Sequence, residues 1–407
     1  MAAPKLRFKE FDTNWSLSSL GKMTTYFKGY AFKSESYKDS GIRIIRVSDL
    51  GRESIKTDND SIYIEANNAS AYENWIIKKD DIIITTVGSK PHLVDSAVGR
   101  PIYVKNNNEG LLNQNLLVLR PIDETVDSYF IYAQLLDKKY LTHIELIQRG
   151  NANQSNITVK DLQDFETYIT SKKEQTKIAS FLSAVDEKIS QLTQKHQLLS
   201  QYKQGMMQKL FSQQIRFKAD DGSEFGEWEC IQANSIFENY SNKNHDGSLT
   251  ILAATQDKGV VPRDEIDIDI KSSDASVLSY KIIEKGNFVI SLRSFQGGIE
   301  YSNYEGICSP AYTVLKAIKP IHTGFYKAYL KTNDFIQRLS STVIGIRDGK
   351  QISYQAFSTL MIDYPCPEEQ TKIANFLSAI DQKIEVTEQQ IEQAKQWKKG
   401  LLQQMFV

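Results

Sequence analysis

The sequence predicts a mixed α+β protein in which two globular α/β segments are separated by two long antiparallel helices that form an intramolecular coiled coil. Three observations lead to this fold class. One stretch of the chain occurs twice, both copies carry an apolar heptad pattern, and each is preceded by a segment with strand-like runs and a helix. The helices should run antiparallel because each follows a globular segment and the two segments must sit at opposite ends.

The duplicated stretch is the clearest feature of the chain. Glu174–Ile189 and Glu369–Ile384 agree at 13 of 16 positions, with a constant offset of 195 residues. The offset continues to the end of each copy, where Gly205 corresponds to Gly400. An internal repeat of this kind indicates one structural unit used twice. We therefore expect one docking structure in two copies.

Apolar residues in both copies recur alternately four and three positions apart for about five heptads, which is the pattern of a coiled coil. Neither copy contains a proline that would break a helix. The residues expected to pack in the seam between the helices are Ile178, Leu182, Val185, Ile189, Leu192, Leu199, Ile373, Leu377, Ile380, Ile384, Ile391 and Leu401.

Length and composition define the broad class of protein. A chain of 407 residues is long for one core, which favours two or three domains. Its 41% hydrophobic and 24% charged residues are ordinary for a soluble globular protein. No apolar run approaches the roughly 20 residues of a membrane span, and the chain does not start like a signal peptide. Three scattered cysteines fit a reducing cytoplasm without disulfides or structural zinc.

The charge of the chain argues mildly against a protein that binds nucleic acid tightly on its own. Its formal net charge is −1, whereas such proteins usually carry a basic surplus. Only residues 171–216 are clearly basic, with eight Lys and Arg against three Asp and Glu.

The first segment has strand-like runs at Ile42–Val47, Asp81–Val87 and Leu116–Leu119, and Ser128–Ile147 has helical spacing of its apolar residues. These features predict a sheet followed by one helix.

The second segment repeats this plan with little identity. Lys285–Ser291 is similar to Lys79–Thr85, and Phe325–Leu339 is predicted to form a helix. Gly345–Ser353 aligns with Gly150–Thr158 at the same offset of 195 residues. Divergent segments on near-identical helices indicate two different recognition surfaces on one scaffold.

These features together resemble the specificity (S) subunit of a type I restriction-modification system. The duplication, the heptads and the Pro365–Gln370 lead into the second helix agree with that family along almost the whole chain, although the first helix lacks a proline-rich lead. The resemblance implies a target-recognition domain at residues 1–170, a central conserved helix at 171–213, a second target-recognition domain at 214–367 and a C-terminal conserved helix at 368–407.

The resemblance also implies partners and a role. Such a subunit binds double-stranded DNA and two methyltransferase (M) subunits, and each recognition domain reads one half of a split, asymmetric site. The M subunits methylate adenine at N6 with S-adenosylmethionine. With restriction (R) subunits, the complex becomes an ATP- and Mg-dependent endonuclease. These cofactors belong to the partner subunits, and phosphate contacts by partners would account for the neutral charge of this chain.

The chain itself is expected to be non-catalytic. Asp363–Cys366 is the nearest match to the Asn-Pro-Pro-Tyr motif with which known adenine methyltransferases hold a flipped base, and it lacks the paired prolines. No Walker loop and no clustered Cys/His set is present, so neither an ATPase site nor a metal site is predicted.

Candidate DNA-reading residues are the Arg, Lys, Asn, Gln and His side chains in polar, Gly-containing loops, because these side chains pair with base edges. Two arginines on a predicted strand are included as weaker candidates. An ordinary solvated loop is the alternative for every one of them. The candidates are Arg43, Arg46, Lys90, His92, Arg149, Asn151, Asn153, Gln154, Arg293, Gln296, Arg347 and Lys350.

A second function class also fits these features, namely a coiled-coil scaffold with two protein-binding domains and no role in DNA recognition. It explains the helices and the charge, but it does not explain why near-identical helices carry divergent domains. An adenine methyltransferase encoded by the neighbouring gene would distinguish the two.

Overall fold

The structure is a computed structural model and describes residues 3–91, 97–151, 154–266, 274–342 and 352–407. The chain divides into two compact units. The first contains residues 1–193 and 389–407, and the second contains residues 194–388. Each long helix begins in one unit and ends in the other.

Within the described residues, the first globular segment is built from short strands and short helices. The strands are Ser16–Ser19 (β1), Thr24–Lys28 (β2), Ile42–Ile45 (β3), Ile62–Ile64 (β4), Ile82–Thr85 (β5), Val87–Gly88 (β6), Pro101–Tyr103 (β7), Leu111–Leu112 (β8), Leu116–Pro121 (β9), Arg149–Asn151 (β10), Gln154–Asn156 (β11) and Glu166–Ile169 (β12). The helices are Leu20–Met23 (α1), Ser128–Gln134 (α2), Lys138–Ile147 (α3) and Val159–Gln163 (α4), and 3₁₀ turns lie at Ser34–Ser36, Val47–Asp49 and Ala66–Trp75.

The second globular segment is built from a similar set of short strands and helices. Its strands are Glu229–Gln232 (β13), Phe237–Tyr240 (β14), Leu252–Thr255 (β15), Gly259–Pro262 (β16), Lys281–Ile283 (β17), Phe288–Ile290 (β18), Glu300–Tyr301 (β19), Gly306–Cys308 (β20), Thr313–Ala317 (β21) and Met361–Tyr364 (β22). Lys172–Phe211 is the first long helix (α5). The later helices are Asp274–Val277 (α6), Ser294–Gly297 (α7), Thr323–Tyr329 (α8), Asn333–Ser341 (α9), Tyr354–Ser358 (α10) and the second long helix Pro367–Met405 (α11), with 3₁₀ turns at Ala233–Ser235 and Arg263–Glu265.

Each unit has a central four-stranded antiparallel sheet with the same strand order, β2-β9-β5-β7 in the first and β14-β21-β18-β19 in the second. The apolar run of β5 explains its central place. Ile82 and Ile84 pack into the cluster that contains α2 and α3, whereas Ile83 faces a second cluster on the other side of the sheet. Successive side chains of a strand point to opposite faces, so a fully apolar run is buried on both.

The helical prediction for residues 128–147 is wrong in one respect, because the structure has two helices there instead of one. Asp137 caps the second of them, since its side chain accepts a hydrogen bond from the backbone N–H of Lys139. The prediction for residues 325–339 fails in the same way, with Thr332 as the cap of α9. Side-chain caps of this type start a new helix and interrupt the old one.

The long helices match the heptad prediction closely and pack against each other in each unit. In the first, the Phe181 ring lies 6.0 Å from that of Trp397, whereas Leu192 and Gln390 line one cavity farther along. In the second, Lys203 is paired with Asp381, while Leu210 joins the same apolar cluster as Ile373. As the residue numbers increase along α5, the residues of α11 that lie opposite have decreasing numbers, so the coiled coil is antiparallel.

Most of the predicted seam residues are buried. Leu199 and Ile384 are half-buried, and the others are at most 8% exposed: Ile178, Leu182, Val185, Ile189, Leu192, Ile373, Leu377, Ile380, Ile391 and Leu401.

A two-stranded antiparallel sheet closes the base of each globular segment. In the first unit β1 pairs with β12, with Ser16 opposite Ile169. In the second unit β13 pairs with β22, with Glu229 opposite Tyr364. The strand that enters each segment therefore lies beside the strand that leaves it. No helix among the described residues combines the length and the apolar character needed to cross a membrane.

Candidate nucleic-acid interface and helix-pair site

The candidate DNA-reading loops of the first unit come together on one small sheet, β10-β11-β6. Ser155 pairs with Gly88 across β11 and β6, which joins the loop that carries Lys90 to the hairpin that carries Arg149 and Gln154. These loops are about 60 residues apart in sequence, so only the strand pairing makes them neighbours.

Gly150 makes this hairpin possible. Its φ of +143° lies where L side chains rarely go, and an added Cβ would stand 2.2 Å from the carbonyl oxygen of Gln154. The side chain of Arg149 is 66% exposed and donates to Asp161 Oδ2 at 2.8 Å. Gln154 is exposed beside it. The hairpin presents an exposed cation and an exposed amide, which are the side-chain types that read guanine and adenine.

Arg43 and Arg46 have a different environment, because protein acceptors engage both guanidinium groups. Arg46 Nε lies 3.0 Å from Oδ2 of the fully buried Asp49, and its Nη2 also donates to a backbone carbonyl. Arg43 Nη2 donates to the carbonyl of Lys56 at 2.8 Å and to Asn59 Oδ1 at 3.0 Å. A buried carboxylate needs such partners, so these contacts stabilise the loop around Asp49.

In the second unit, Arg293 and Gln296 are exposed on a tight turn that contains the four-residue helix α7. This turn follows the buried strand β18, as Lys90 follows β5 and β6. Four candidates, His92, Asn153, Arg347 and Lys350, lie outside the described residues, and for Asn151 the structure describes only the backbone strand. Among the described residues, no group of three or more His, Cys, Asp or Glu could hold a metal ion.

Sequence reasoning missed two matching sets of polar contacts at the starts of the long helices, which we call the clamps. Glu174 is fully buried and accepts from Arg7 Nε and Nη2 at 2.7 and 2.8 Å. Glu369 is equally buried and accepts from Arg216 at 3.0 and 2.7 Å. The signal was present, since both glutamates belong to the repeated stretch, but their partners lie more than 150 residues away in sequence.

The glutamines that follow these glutamates complete the clamps. Gln175 accepts from the backbone N–H of Asp127 at 2.9 Å and donates to the carbonyls of Thr125 and Thr170. Gln370 accepts from the backbone N–H of His322 at 2.8 Å and donates to the carbonyl of Pro365. The repeated Glu-Gln pair therefore fixes each globular segment to its helix.

Burial raises the pKa of Glu174, but hydrogen bonds from Arg7 and Thr170 and the charge of Arg7 outweigh burial, so that its pKa lies below the ordinary value. The carboxylate is thus held in its charged form at neutral pH, as a bidentate guanidinium contact requires.

The outer face of the helix pair is also repeated. Lys188 and Lys383 correspond at the 195-residue offset, and both are exposed. Trp397 and Tyr202 also correspond, and they are 54% and 51% exposed. In the first unit, Trp397 and Lys188 border an open cavity of about 430 Å³, which is otherwise lined by Val185, Leu192, Gln390, Gln393 and Ala394. Exposed aromatic rings are enriched in protein-binding surfaces, whereas a lysine belongs to their polar rim.

Comparison with known proteins agrees with this architecture. Residues 12–201 and 227–396 match the family described as type I restriction modification DNA specificity domain. The putative type I restriction enzyme MjaX specificity subunit of Methanocaldococcus jannaschii is 22% identical over 417 residues, which is 98% of this chain and 94% of that protein. The crystal structure of the type I restriction-modification system S subunit from M. genitalium has a TM-score of 0.61 at 19% identity and covers 100% of this chain and 99% of that one.

A chain from a structure of complex assembly and conformational transition of the type I R-M system has a TM-score of 0.54 at 16% identity, over 95% of this chain and 96% of that one. These similarities in structure concern the fold. The family match covers most of the sequence, so the chain belongs to the type I restriction modification DNA specificity domain family and carries two of its domains. Its role is DNA recognition in a type I restriction-modification system, and the scaffold alternative without DNA is not supported.

Proposed function

We propose that this chain reads a bipartite, asymmetric DNA sequence, with one half read by each unit, and that it holds two M subunits on its helix pair. The observation that carries the proposal is the contrast between the two kinds of surface. The clamps and the outer helix face are repeated, whereas the turns at the ends of the central strands differ in sequence. Repeated surfaces suit two copies of one partner, and different turns suit two different half-sites.

In the first unit, the proposed reading surface consists of Lys90, Arg149 and Gln154, with His92, Asn151 and Asn153 in the same loops. Arg43 and Arg46 contribute less to it because their guanidinium groups already bind Asp49 and neighbouring carbonyls. In the second unit, the proposed surface consists of Arg293 and Gln296, with Arg347 and Lys350 in a later loop.

The chemistry of the complex is assigned to its partners. M subunits would bind S-adenosylmethionine and methylate adenine N6, and R subunits with ATP and Mg²⁺ would cleave unmodified DNA. This chain supplies sequence recognition and alignment, and the complex would act in the cytoplasm, where both the DNA and these cofactors are found.

The two-reader proposal is tested by exchanging one globular segment. Residues 15–165 are replaced by the matching segment of a relative, and the chain is expressed with its M subunit. Sequencing of methylated bases in the host genome should reveal a motif with one half changed and the other half kept. A change in both halves, or in neither, would contradict the proposal.

The partner surface is tested separately by Lys188→Glu and Lys383→Glu. Each single variant should bind one M subunit instead of two, and the double variant should bind none, as measured by the mass of the purified complex. Lys285→Glu is the matched control, because it reverses the charge of an exposed lysine outside the helix pair. Two bound M subunits in the double variant would exclude this face as the docking surface.

A further inference from the structure

A second exposed turn lies directly against the Arg293–Gln296 turn of the second unit. It is formed by Gln256–Lys258 between β15 and β16, and all three of its residues are exposed. Gln256 Nε2 donates to the carbonyl of Arg293 at 3.3 Å. A Cβ added to Gly297 would stand 2.8 Å from the Gln256 side chain, so the two turns are in van der Waals contact.

Hydrogen bonds and close backbone packing fix the base of the Gln256–Lys258 turn. Thr255 Oγ1 donates to the carbonyl of Gly259 at 3.0 Å and accepts from the backbone N–H of Lys258 at 3.1 Å. Gly259 has φ +76°, and an added Cβ would stand 2.9 Å from the carbonyl oxygen of Tyr301. The exposed end of the hairpin therefore projects from a fixed base.

Lys331 ties both turns to the body of the unit. Its Nζ donates to the carbonyl of Gly297 at 2.8 Å, contacts the carbonyl of Gln256 at 3.5 Å, and lies 2.5 Å from Oε1 of Glu300. The Glu300 side chain is only 2% exposed, so its carboxylate needs this cation. One half-buried ammonium group thus bridges the ends of two loops about 40 residues apart.

We propose that the Gln256–Lys258 turn is a second DNA-contacting element of the second unit, and that Lys331 is the positioning residue that holds it in register with the Arg293–Gln296 turn. This inference rests on the proposed function. Together the turns present cations at Lys258 and Arg293, an acceptor at Asp257 and an amide at Gln296. Those groups match phosphate oxygens, cytosine N4 and adenine.

The contact role is tested with Lys258→Ala in the complex with M. Lys285→Ala is the matched control, because Lys285 is an exposed lysine on the turn at the opposite end of β18. Lys258→Ala should weaken binding to DNA that carries the methylated motif by about fivefold. If Lys258 contacts a phosphate, the slope of log binding constant against log salt concentration should also fall by about one in magnitude. If it contacts a base, one position of the motif should become less specific. The control should do neither. If both variants bind like the wild type, the turn is not part of the interface.

The positioning role is tested with Lys331→Met and Lys331→Arg. Lys331→Met should make the half-motif read by the second unit less specific and leave the half-motif read by the first unit unchanged. An unchanged first half-motif also shows that the variant is folded and assembled. Lys331→Arg, which can still donate to Glu300 and Gly297, should restore the motif. Equal loss of both halves, or two unchanged halves, would overturn the role of Lys331.

The proposed function has its own readout in the same experiment. If the wild-type complex methylates no bipartite motif, the proposed function fails whatever the variants do. If the wild type methylates such a motif but Lys258→Ala and Lys331→Met behave like Lys285→Ala, the further inference fails and the proposed function stands.

Discussion

Lys398 and Asp186 form an ion pair between the two long helices, with Nζ 2.5 Å from Oδ1 and side chains that are 10% and 11% exposed. The same pair occurs again at the 195-residue offset as Lys203 and Asp381, also at 2.5 Å, but there the side chains are 28% and 53% exposed. Tyr129 accounts for part of this difference. Its hydroxyl donates to Asp186 at 2.5 Å, whereas Gly324 is its counterpart in the second unit.

Removal of the carboxylate should therefore be costly in the first unit only. Asp186→Asn leaves a buried ammonium group unpaired and should lower the free energy of unfolding by about 3 kcal/mol. Asp381→Asn removes a largely exposed pair and should cost about 1 kcal/mol or less. Urea denaturation of the two variants measures the difference. Equal costs would mean that the environment of the Asp186 pair has no influence on its strength.

The apolar seam gives a second prediction. Leu182 and Leu377 are 0% and 3% exposed at equivalent positions, so Leu182→Asp and Leu377→Asp each bury an unpaired charge. Each should reduce stability by about 3 kcal/mol or more, and the double variant should fail to assemble with M. The measurements are thermal unfolding and co-purification. Exposed Gln201→Asp is the control, and a double variant that assembles at wild-type stability would contradict the coiled coil.

The Glu174 clamp gives a third prediction, about pH. The folded-state pKa of Glu174 is depressed, so its stabilising effect is complete above the ordinary value of 4.5 and is lost as the pH falls through the folded-state pKa. The wild type should therefore lose more stability than Glu174→Gln on acidification below about pH 4.5. Stability measured against pH for both proteins tests this.

Arg7→Met supplies the control for the clamp, because burial alone raises the pKa of Glu174. In that variant the loss of stability on acidification should shrink, because burial still raises the pKa of Glu174 while the hydrogen bond and the charge of Arg7 are lost and the hydrogen bond from Thr170 remains. An unchanged acid dependence in Arg7→Met would show that Arg7 is not responsible for the depressed pKa.

The length of the helix pair gives a fourth prediction. Insertion of one heptad after Gln197 and one after Glu392 keeps the seam in register. Seven residues add about 10.5 Å, which corresponds to roughly three base pairs, so the unread spacer between the half-motifs should grow. A longer spacer also rotates one half-site around the duplex relative to the other, which opposes this growth. A gain of one or two base pairs would therefore also agree with the prediction.

Sequencing of methylated DNA from cells carrying the lengthened chain gives the spacer directly. The half-motifs themselves should stay the same because no recognition turn is altered. An active variant with the original spacer would show that the helices do not set the distance.

The sequence was sufficient for features that depend on local periodicity. The long helices follow from heptads, and the central strands β5 and β9 follow from apolar runs buried on both faces. The breaks at Asp137 and Thr332 were missed because apolar spacing continues through them, although both residues are good helix caps.

Long-range polar contacts could not be predicted in the same way. Nothing near Arg7 in sequence indicates that it binds Glu174, and nothing near Lys331 indicates that it binds Gly297 and Glu300. Such contacts depend on how remote segments meet in three dimensions. The loops around Lys90 and Arg149 lie about 60 residues apart in sequence, and only the pairing of β6 with β11 makes them neighbours.

The two-stranded sheets at the base of each globular segment have a consequence for the inheritance of specificity. Because β1 lies beside β12, and β13 beside β22, the chain enters and leaves each segment through two adjacent strands. A segment attached in this way can be replaced as a unit. One crossover on each side of a contiguous stretch of gene would give the protein a new half-site, while its methyltransferase partners would meet an unchanged surface.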